Sequence, residues 1–173
     1  KGMPEDDKMK RSLAVIRQGL NRLLRLISNM ADLDRFRDGR LNLALQTGNL
    51  AAFAEKLCQR MAPFFEKQGL SFSWEIPAVP VYTAFDEKQI ERMLLNVLSN
   101  SMKASPRGGA VILDFKAEKD RVRITVKDEG RGLKPPAAQS AEGAAYLEIA
   151  AAEAAGMGLA VASAVAALHG GRL

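Results

Sequence analysis

Apolar side chains in the first forty residues recur at intervals of three and four, which is the spacing of a single helix face. The charged residues Arg17, Arg22 and Arg25 fall off this stripe, and Asp38-Gly39 supplies a stop. A narrow stripe of this kind predicts a long helix that packs on a partner helix, for which a second copy of the chain is a candidate. The stripe consists of Leu13, Ile16, Leu20, Leu23, Ile27 and Met30.

After this helix the spacing of apolar residues changes twice. A short extended or loop connection over residues 41–49 leads to a helix whose apolar positions repeat from Leu50 to the break at Gly69. Pro63 is expected to kink or shorten that helix. Strict alternation of apolar and polar residues from Leu70 to Ile76 then predicts a half-buried strand.

Asp86 stands three residues before Gln89, an N-cap and N3 pair that predicts a helix from this point to about Ala104. Two strands, over about 110–116 and 121–127, follow as a hairpin. The alanine-rich stretch 130–155 is expected to form a mobile loop with at most one short helix, and a last helix is predicted over 158–168.

Composition limits the class of protein without selecting a function. Of 173 residues, 47% are apolar, and the net charge of +5 is spread among interspersed basic and acidic residues, so nucleic acid is not expected as a partner. No apolar run approaches the ~18 residues of a membrane span, so no membrane contact is expected. Cys58 is interpreted as a buried thiol, and His169, the single histidine, as a helix C-terminal residue without neighbours for zinc binding or a triad.

Three polar side chains share one face of the helix predicted from Asp86, namely Asn96, Asn100 and Lys103. An amphipathic helix has a polar face in any case, so this helix alone is equally consistent with solvation. Two glycine-bearing segments add weight, because each places backbone that can approach a ligand closely beside the end of an element. These segments are DEGRGL at 128–133, after a strand, and GMGLAVA at 156–162, at the start of a helix.

The order of these features resembles the nucleotide-binding domain of sensor histidine kinases, within the wider family that includes gyrase and Hsp90-type ATPases. The resemblance covers roughly residues 50–173. The segment RLLRLISNMADLDRFRDGRLNL looks like the second helix and connector of the dimerisation and phosphotransfer domain of the same kinases. The resemblance implies an α+β fold: a two-layer α/β sandwich that binds ATP over 46–173, preceded by a long helix of a dimerisation bundle within 1–45.

By position, the resemblance implies a site for ATP and Mg²⁺. Asn100 would offer its amide oxygen to a magnesium ion held by the triphosphate, Asn96 would support it, and Lys103 would meet phosphate. Asp128 would accept a hydrogen bond from the adenine amino group. The glycines that would let the chain pass close to the base and the phosphates are Gly130, Gly132, Gly156 and Gly158.

One position bears on the reaction. The hydrolysing relatives carry a glutamate where this chain has Asn96, and an amide cannot take a proton from water as a carboxylate can. Poor hydrolysis is therefore expected, with the phosphoryl group kept for a histidine on the helical bundle and with Asn96 and Lys103 as the catalytic residues. That acceptor histidine is absent from this sequence, so autophosphorylation by this fragment alone is not expected.

The sequence also departs from the family. The phenylalanine pair common in the lid region is missing between 133 and 155, where Tyr146 and Ile149 are a loose substitute, and the usual closing strands are expected to be missing after Leu173. Three interpretations follow: the catalytic part of a two-component sensor kinase, a nonenzymatic relative that binds partners as a dimeric scaffold, or an unrelated α/β domain. The kinase interpretation implies a homodimer formed by the first helix, a response regulator or receiver domain as partner, and a cytoplasmic location, alone or as the cytoplasmic part of a membrane-bound bacterial sensor.

Overall fold

The computed structural model divides the chain into two compact units, Lys1–Leu41 and Asn42–Leu173. The second unit is described over residues 42–132 and 158–173. In the first unit the structure describes residues 9, 10, 12, 13, 15–17, 19, 20, 27, 31, 34–36 and 38.

The first unit is helical at every described residue from 9 to 36, and Asp38 lies in a turn, as the spacing predicts. Four members of the predicted apolar stripe are described, and each has more than half of its surface in water. Burying an aliphatic side chain of this size stabilises by about 1.5–3 kcal/mol, so the exposed stripe is suited to packing on a partner. These residues are Leu13, Ile16, Leu20 and Ile27.

The second unit contains three helices and five strands among its described residues. In chain order they are β1 (Gln46–Asn49), α1 (Leu50–Lys67), β2 (Ser71–Glu75), β3 (Tyr82–Phe85), α2 (Glu87–Ala104), β4 (Ala110–Ala117), β5 (Val122–Asp128) and α3 (Gly158–Leu168). Side-chain caps fix the starts of two helices. Asn49 Oδ1 accepts a hydrogen bond from the Ala52 N–H at 3.3 Å, and Asp86 Oδ1 accepts one from the Gln89 N–H at 3.1 Å.

The strands form two sheets. β1 and β3 pair antiparallel, while the larger sheet has the order β2-β4-β5, with β2 parallel to β4 and β4 antiparallel to β5. A parallel pair needs a long crossover, and here β3 and α2 form it, so α2 packs against the larger sheet. In the β4–β5 register Val111 lies opposite Asp128, which places the last residue of β5 beside the beginning of β4.

The core lies between the larger sheet and the helices. Along β4 the residues Val111, Leu113 and Phe115 are buried while Ile112 between them is exposed, the alternation of a sheet with one covered face. Aromatic stacking joins α1 to this face, because the rings of Phe65 and Phe72 lie 4.3 Å apart at an interplanar angle of 13°. From α2 the core receives Ile90, Leu94 and Leu98.

Trp74 fastens β2 to α1 through a polar contact. Its indole Nε1–H donates a hydrogen bond to Glu55 Oε2 at 2.8 Å, and the Gln59 amide donates to the other oxygen of the same carboxylate at 3.0 Å. Hydrogen bonds to an ionised acceptor are stronger than neutral ones, so Glu55 holds the tryptophan ring in a fixed position over α1.

Most predicted elements are confirmed, and the structure differs from the prediction at Pro63 and at β3. The helices from Leu50, from Asp86 and over 158–168 are present, as are the strand after Gly69 and the hairpin. Pro63 does not shorten α1, which continues to Lys67. A proline has no N–H to donate to the carbonyl four residues earlier, here that of Gln59. Because Gln59 is exposed, water can replace this hydrogen bond. The connection before Leu50, which was predicted to be extended or loop, contains the short strand β1, and β3 was not predicted. Among the described residues no helix is long and apolar enough to cross a bilayer.

Candidate functional site

Helix α2 carries a stripe that two distant segments of the chain approach. Asn96, Asn100 and Ala104 are spaced at intervals of four and therefore lie one above another on the same helix face. Eight residues of α-helix rise about 12 Å, so the stripe has two well-separated ends with Asn100 midway. Each end is contacted by one of the glycine segments.

At the Asn96 end, the first residue of α3 packs directly on the asparagine side chain. A Cβ built on Gly158 would stand 3.2 Å from Asn96 Oδ1 and 3.3 Å from its Cγ, so only glycine fits without displacing the amide. The first turn of a helix has backbone N–H groups without intrahelical partners, and the helix dipole adds positive character there. The contact therefore brings an asparagine amide together with an anion-binding helix end.

At the Ala104 end, the turn after β5 packs on the last residue of α2. A Cβ on Gly130 would stand 2.7 Å from the Ala104 Cβ and 2.7 Å from Asp128 Oδ1, a distance at which backbone would have to move. Two hydrogen bonds hold this turn. The Gly130 N–H donates to Asp128 Oδ1 at 2.9 Å, and the Ala110 N–H of β4 donates to Glu129 Oε2 at 3.2 Å. Asp128 itself is exposed. A carboxylate has two acceptor oxygens, so Oδ2 can accept a hydrogen bond from another donor.

Between the two ends, amide nitrogens are buried without partners. In the part of the chain that the structure describes, the buried side-chain polar atoms lacking a hydrogen bond are Asn96 Nδ2, Asn100 Nδ2 and Gln89 Oε1. Leaving such a group unpaired costs about 1–3 kcal/mol, and in native proteins it calls for an explanation. The two asparagines lie on the stripe, so a ligand with acceptor oxygens would relieve the cost there.

The chemistry of these groups is compatible with a triphosphate and its magnesium ion. Amide nitrogens donate to phosphate oxygens, and Asn100 with its amide turned over would present an oxygen, which is the ligand type that Mg²⁺ prefers. The ion keeps several waters and takes only one or two protein ligands when phosphates supply the rest. Among the described residues no group of three or more histidine, cysteine or acidic side chains is placed to hold a metal ion.

The remaining predicted site residues are distributed as follows. Lys103 is exposed in the last turn of α2, where its charge also complements the helix dipole. Gly132 is exposed with a φ of +70°, a conformation that other residues adopt only with strain. Gly156 and the lid positions Tyr146 and Ile149 lie outside the described residues.

A second contact between α2 and α3 was missed by the sequence reasoning. His169, directly after α3, accepts a hydrogen bond on Nε2 from the Asp86 N–H at 3.1 Å, and its Nδ1 lies 2.8 Å from the Val165 carbonyl oxygen. Asp86 is only 7% exposed, and its Oδ2 accepts a further bond from the Ala44 N–H at 2.9 Å. The histidine thus ends a helix, as predicted, but it also joins that helix to the cap of α2 across 83 sequence positions.

The electrostatics of the Asp86 carboxylate follow from these bonds. Burial alone would raise its pKa, but hydrogen bonds from the backbone N–H groups of Ala44, Gln89 and Lys88 outweigh burial and hold the pKa below its ordinary value. The carboxylate is therefore ionised at neutral pH. It links the connection before β1 to the start of α2.

Residues 85–173 match the family of histidine kinase-, DNA gyrase B- and HSP90-like ATPases. The alginate biosynthesis sensor protein KinB of Pseudomonas aeruginosa is 28% identical over 171 residues, which are 98% of this chain and 29% of KinB. Among solved structures, full-length ShkA in complex with AMPPNP has a TM-score of 0.67 at 22% identity, covering 98% of this chain and 35% of that one. The complex of histidine kinase ThkA with response regulator protein TrrA has a TM-score of 0.59 at 18% identity, covering 80% and 39%. The chain thus spans less than a third of the length of KinB. The two solved structures share the α+β fold of this chain.

Proposed function

The chain belongs to the family of histidine kinase-, DNA gyrase B- and HSP90-like ATPases, and on that premise we propose that its second unit binds Mg–ATP for phosphoryl transfer to a histidine on a helical bundle. One observation carries the proposal. Two glycine segments, far apart in the sequence, pack against the two ends of one stripe of α2. The asparagines of that stripe have buried amide nitrogens without partners among the described residues. The full-length structure of ShkA, which shares the fold, holds the ATP analogue AMPPNP.

The Gly130 end of the stripe is proposed to hold the adenine. Asp128 Oδ1 is used within its own turn, so Oδ2 is the atom that would accept a hydrogen bond from the adenine amino group. Gly130 packs directly on Ala104 and has no side chain, so the base could approach the backbone of this turn. Selectivity for adenine over guanine follows, because guanine presents a carbonyl oxygen where adenine presents an amino group.

The Gly158 end is proposed to hold the phosphates. The N–H groups in the first turn of α3 and the amide of Asn96 would donate hydrogen bonds to phosphate oxygens. Lys103, about one helical turn beyond Asn100, would supply a point charge. When bound with the nucleotide, magnesium would neutralise phosphate charge, with Asn100 as its protein ligand. Because Asn96 cannot act as a general base toward water, the site would keep the γ-phosphoryl group for a histidine placed in line with it.

The first unit is proposed to be the dimerisation element of the kinase. Its described stripe residues are exposed, and a second copy of the same helix would cover them in a bundle with the acceptor histidine on another helix. The phosphoryl group would then pass to a response regulator or receiver domain, as the complex of ThkA with the response regulator TrrA suggests. Such a protein would act in the cytoplasm.

Titration calorimetry with a nonhydrolysable ATP analogue tests the nucleotide site independently of the acceptor histidine. We expect binding with magnesium and weaker binding without it. Asn100→Asp should change the magnesium concentration that binding needs, whereas Gln46→Glu, the same amide-to-acid change on the exposed strand β1, should not. Phosphorylation of a separately added bundle with its histidine would then establish the transfer.

A second candidate function is a nonenzymatic scaffold that uses the same fold and the first helix to bind partners. The exposed apolar stripe of the first unit favours it, because that stripe needs a partner whether or not nucleotide binds. A folded chain that shows no calorimetric signal with the ATP analogue, with or without magnesium, would support the scaffold and contradict the kinase.

A further inference from the structure

We propose that His169 is a positioning residue that sets the axial register of α3 on α2 and thereby places the phosphate-binding end of α3 against Asn96. The inference rests on the proposed function for the identity of that end. His169 itself lies at the opposite end of α3 and would touch no part of the nucleotide.

The two helices are fastened at both ends. Gly158 at the start of α3 packs on Asn96 in the middle of α2, and His169 after the end of α3 bonds to Asp86 at the start of α2. The helices are therefore antiparallel. The two contacts are separated by about 16 Å along α3 and about 15 Å along α2. Because these spacings are nearly equal, both contacts can form at once, and together they fix the position of α3 along α2.

The surface between these points offers little resistance to sliding. The residues that α3 buries are small or short: Gly158, Val161, Ala162, Ala164 and Val165. Helix packing is usually fixed by large side chains that interlock as ridges and grooves, and alanine and glycine make shallow ridges. A displacement of one residue, about 1.5 Å, would lift Gly158 off the Asn96 amide without burying or exposing much apolar surface.

The hydrogen bonds of His169 fix the protonation of its ring. A backbone N–H can only donate, so the Asp86 N–H requires an unprotonated Nε2 as its acceptor. The proton of the neutral ring is then on Nδ1, from which it is donated to the Val165 carbonyl. Both nitrogens are used, and this orients the ring from both sides.

The contact of His169 with Asp86 replaces a hydrogen bond that α2 could make within its own first turn. In a capping box the side chain at N3, here Gln89, accepts the N–H of the N-cap residue, here Asp86. In this structure His169 accepts that N–H, and Gln89 Oε1 is buried with no partner in the described part of the chain. The contact with α3 therefore displaces the self-contained cap of α2. The same arrangement lets α2 keep a cap when His169 is altered, because Gln89 can recover the N–H.

Two near-isosteric variants separate the ring's two contacts. In His169→Asn the amide nitrogen replaces Nδ1 and can still donate to Val165, but no atom reaches Asp86. In His169→Gln an amide oxygen at the position of Nε2 can accept the Asp86 N–H. The readout is a ratio, namely the dissociation constant of adenosine divided by that of the magnesium–ATP analogue. Each ligand is titrated against the full chain.

We expect His169→Asn to weaken binding of the ATP analogue about tenfold, which is the equivalent of one hydrogen bond. Binding of adenosine should weaken by no more than about twofold. His169→Gln should stay within about twofold of the wild type for both ligands. The proposed adenine contacts come from β5 and not from α3, so the loss of affinity should fall on the phosphate contacts. A residue that merely stabilised the fold would lower both affinities together and leave their ratio unchanged, and that result would overturn the proposal.

Two NMR measurements without nucleotide keep this proposal separate from the proposed function. The side-chain amide signals of Asn96 should move in His169→Asn and not in His169→Gln. If the wild type binds no nucleotide but those signals move, the ATP site is wrong and the register role stands. In the wild type, the nitrogen shifts of the His169 ring should report the Nδ1–H tautomer, and the Nε2–H tautomer would refute the contact on which the proposal depends.

Discussion

Asn96 Oδ1 lies against the first residue of α3, at 3.2 Å from the position that a Cβ on Gly158 would occupy. The contact joins a residue in the middle of one helix to the N-terminus of another, and both are proposed to bind phosphate. Because the distance is tighter than ordinary packing, the side chain at 158 controls where the Asn96 amide can point.

Gly158→Ala should therefore weaken the magnesium–ATP analogue several-fold while leaving stability within about 1 kcal/mol of the wild type. The added methyl displaces the amide, but alanine favours a helix by up to about 1 kcal/mol over glycine, and the two effects on folding oppose each other. Calorimetric titration and chemical denaturation measure the two quantities. Ser163→Ala, on the exposed face of the same helix, is the control and should change neither. Unchanged affinity in Gly158→Ala would place the phosphates elsewhere.

Asp128→Asn tests how the base is recognised. Asparagine keeps an oxygen for the Gly130 N–H, so the turn should survive, but its amino group replaces the second carboxylate oxygen and would face the adenine amino group. We expect about a tenfold or greater loss of adenine nucleotide affinity, together with a smaller preference over guanine nucleotides. Titrations with both nucleotides measure this, with Asp120→Asn in the exposed hairpin turn as the matched control. Equal titrations for wild type and Asp128→Asn would mean that another group reads the base.

Asp86 predicts a dependence of stability on pH. Because its pKa is lower in the folded chain than in the unfolded one, protons bind the unfolded state first as pH falls, and the contribution of the carboxylate is lost on acidification. At pH 7, Asp86→Asn should be less stable by about 1–2 kcal/mol, because its amide nitrogen cannot accept the Ala44 N–H.

The difference should shrink once the pH falls below about 4, the ordinary pKa of an aspartate, and vanish when the folded carboxylate is protonated. Urea denaturation of the two proteins across this range measures the difference. Asp114→Asn, on the outer face of the sheet, is a comparison carboxylate. A difference that stays constant down to pH 2 would show that the carboxylate charge does not contribute.

Cys58 should be unreactive in the folded protein. Burial, aided by the nearby charge of Glu55, raises the pKa of its thiol to about 12. At pH 8 the thiolate fraction is then about 10³-fold below that of a free cysteine, before steric protection is counted. Alkylation followed by mass spectrometry should show labelling only in denaturant. Rapid labelling of the folded chain would contradict the buried position of this residue in α1.

Local rules were sufficient for the elements whose ends are marked by particular residues. Asp86 and Gln89 marked the start of α2, and the glycines near 109 and 170 marked the ends of α2 and α3, because caps and left-handed turns act over a few residues. Strand β3 was missed since it has four residues and follows a segment with two prolines, so its pairing with β1 is decided by tertiary contacts.

The candidate site could likewise be predicted only in part from the sequence. The order of its motifs along the chain resembles that of sensor histidine kinases, and this resemblance implied a nucleotide site. The stripe on α2 follows from helical spacing alone. The contact of His169 with Asp86 did not, because nothing in a single sequence relates positions 83 residues apart. The available signal was indirect: a capping pair and a lone histidine at a helix end, each with an ordinary local explanation.

Trp74 has a practical consequence. It is the only tryptophan of the sequence, its indole N–H is bonded to Glu55, and strand β4 separates it from the turn proposed to hold the base. Its fluorescence is therefore an intrinsic optical reporter of the α1–β2 junction, since loss of that hydrogen bond on unfolding changes the polarity around the ring. One emission signal can follow melting in the apo and ligand-saturated states without an extrinsic dye.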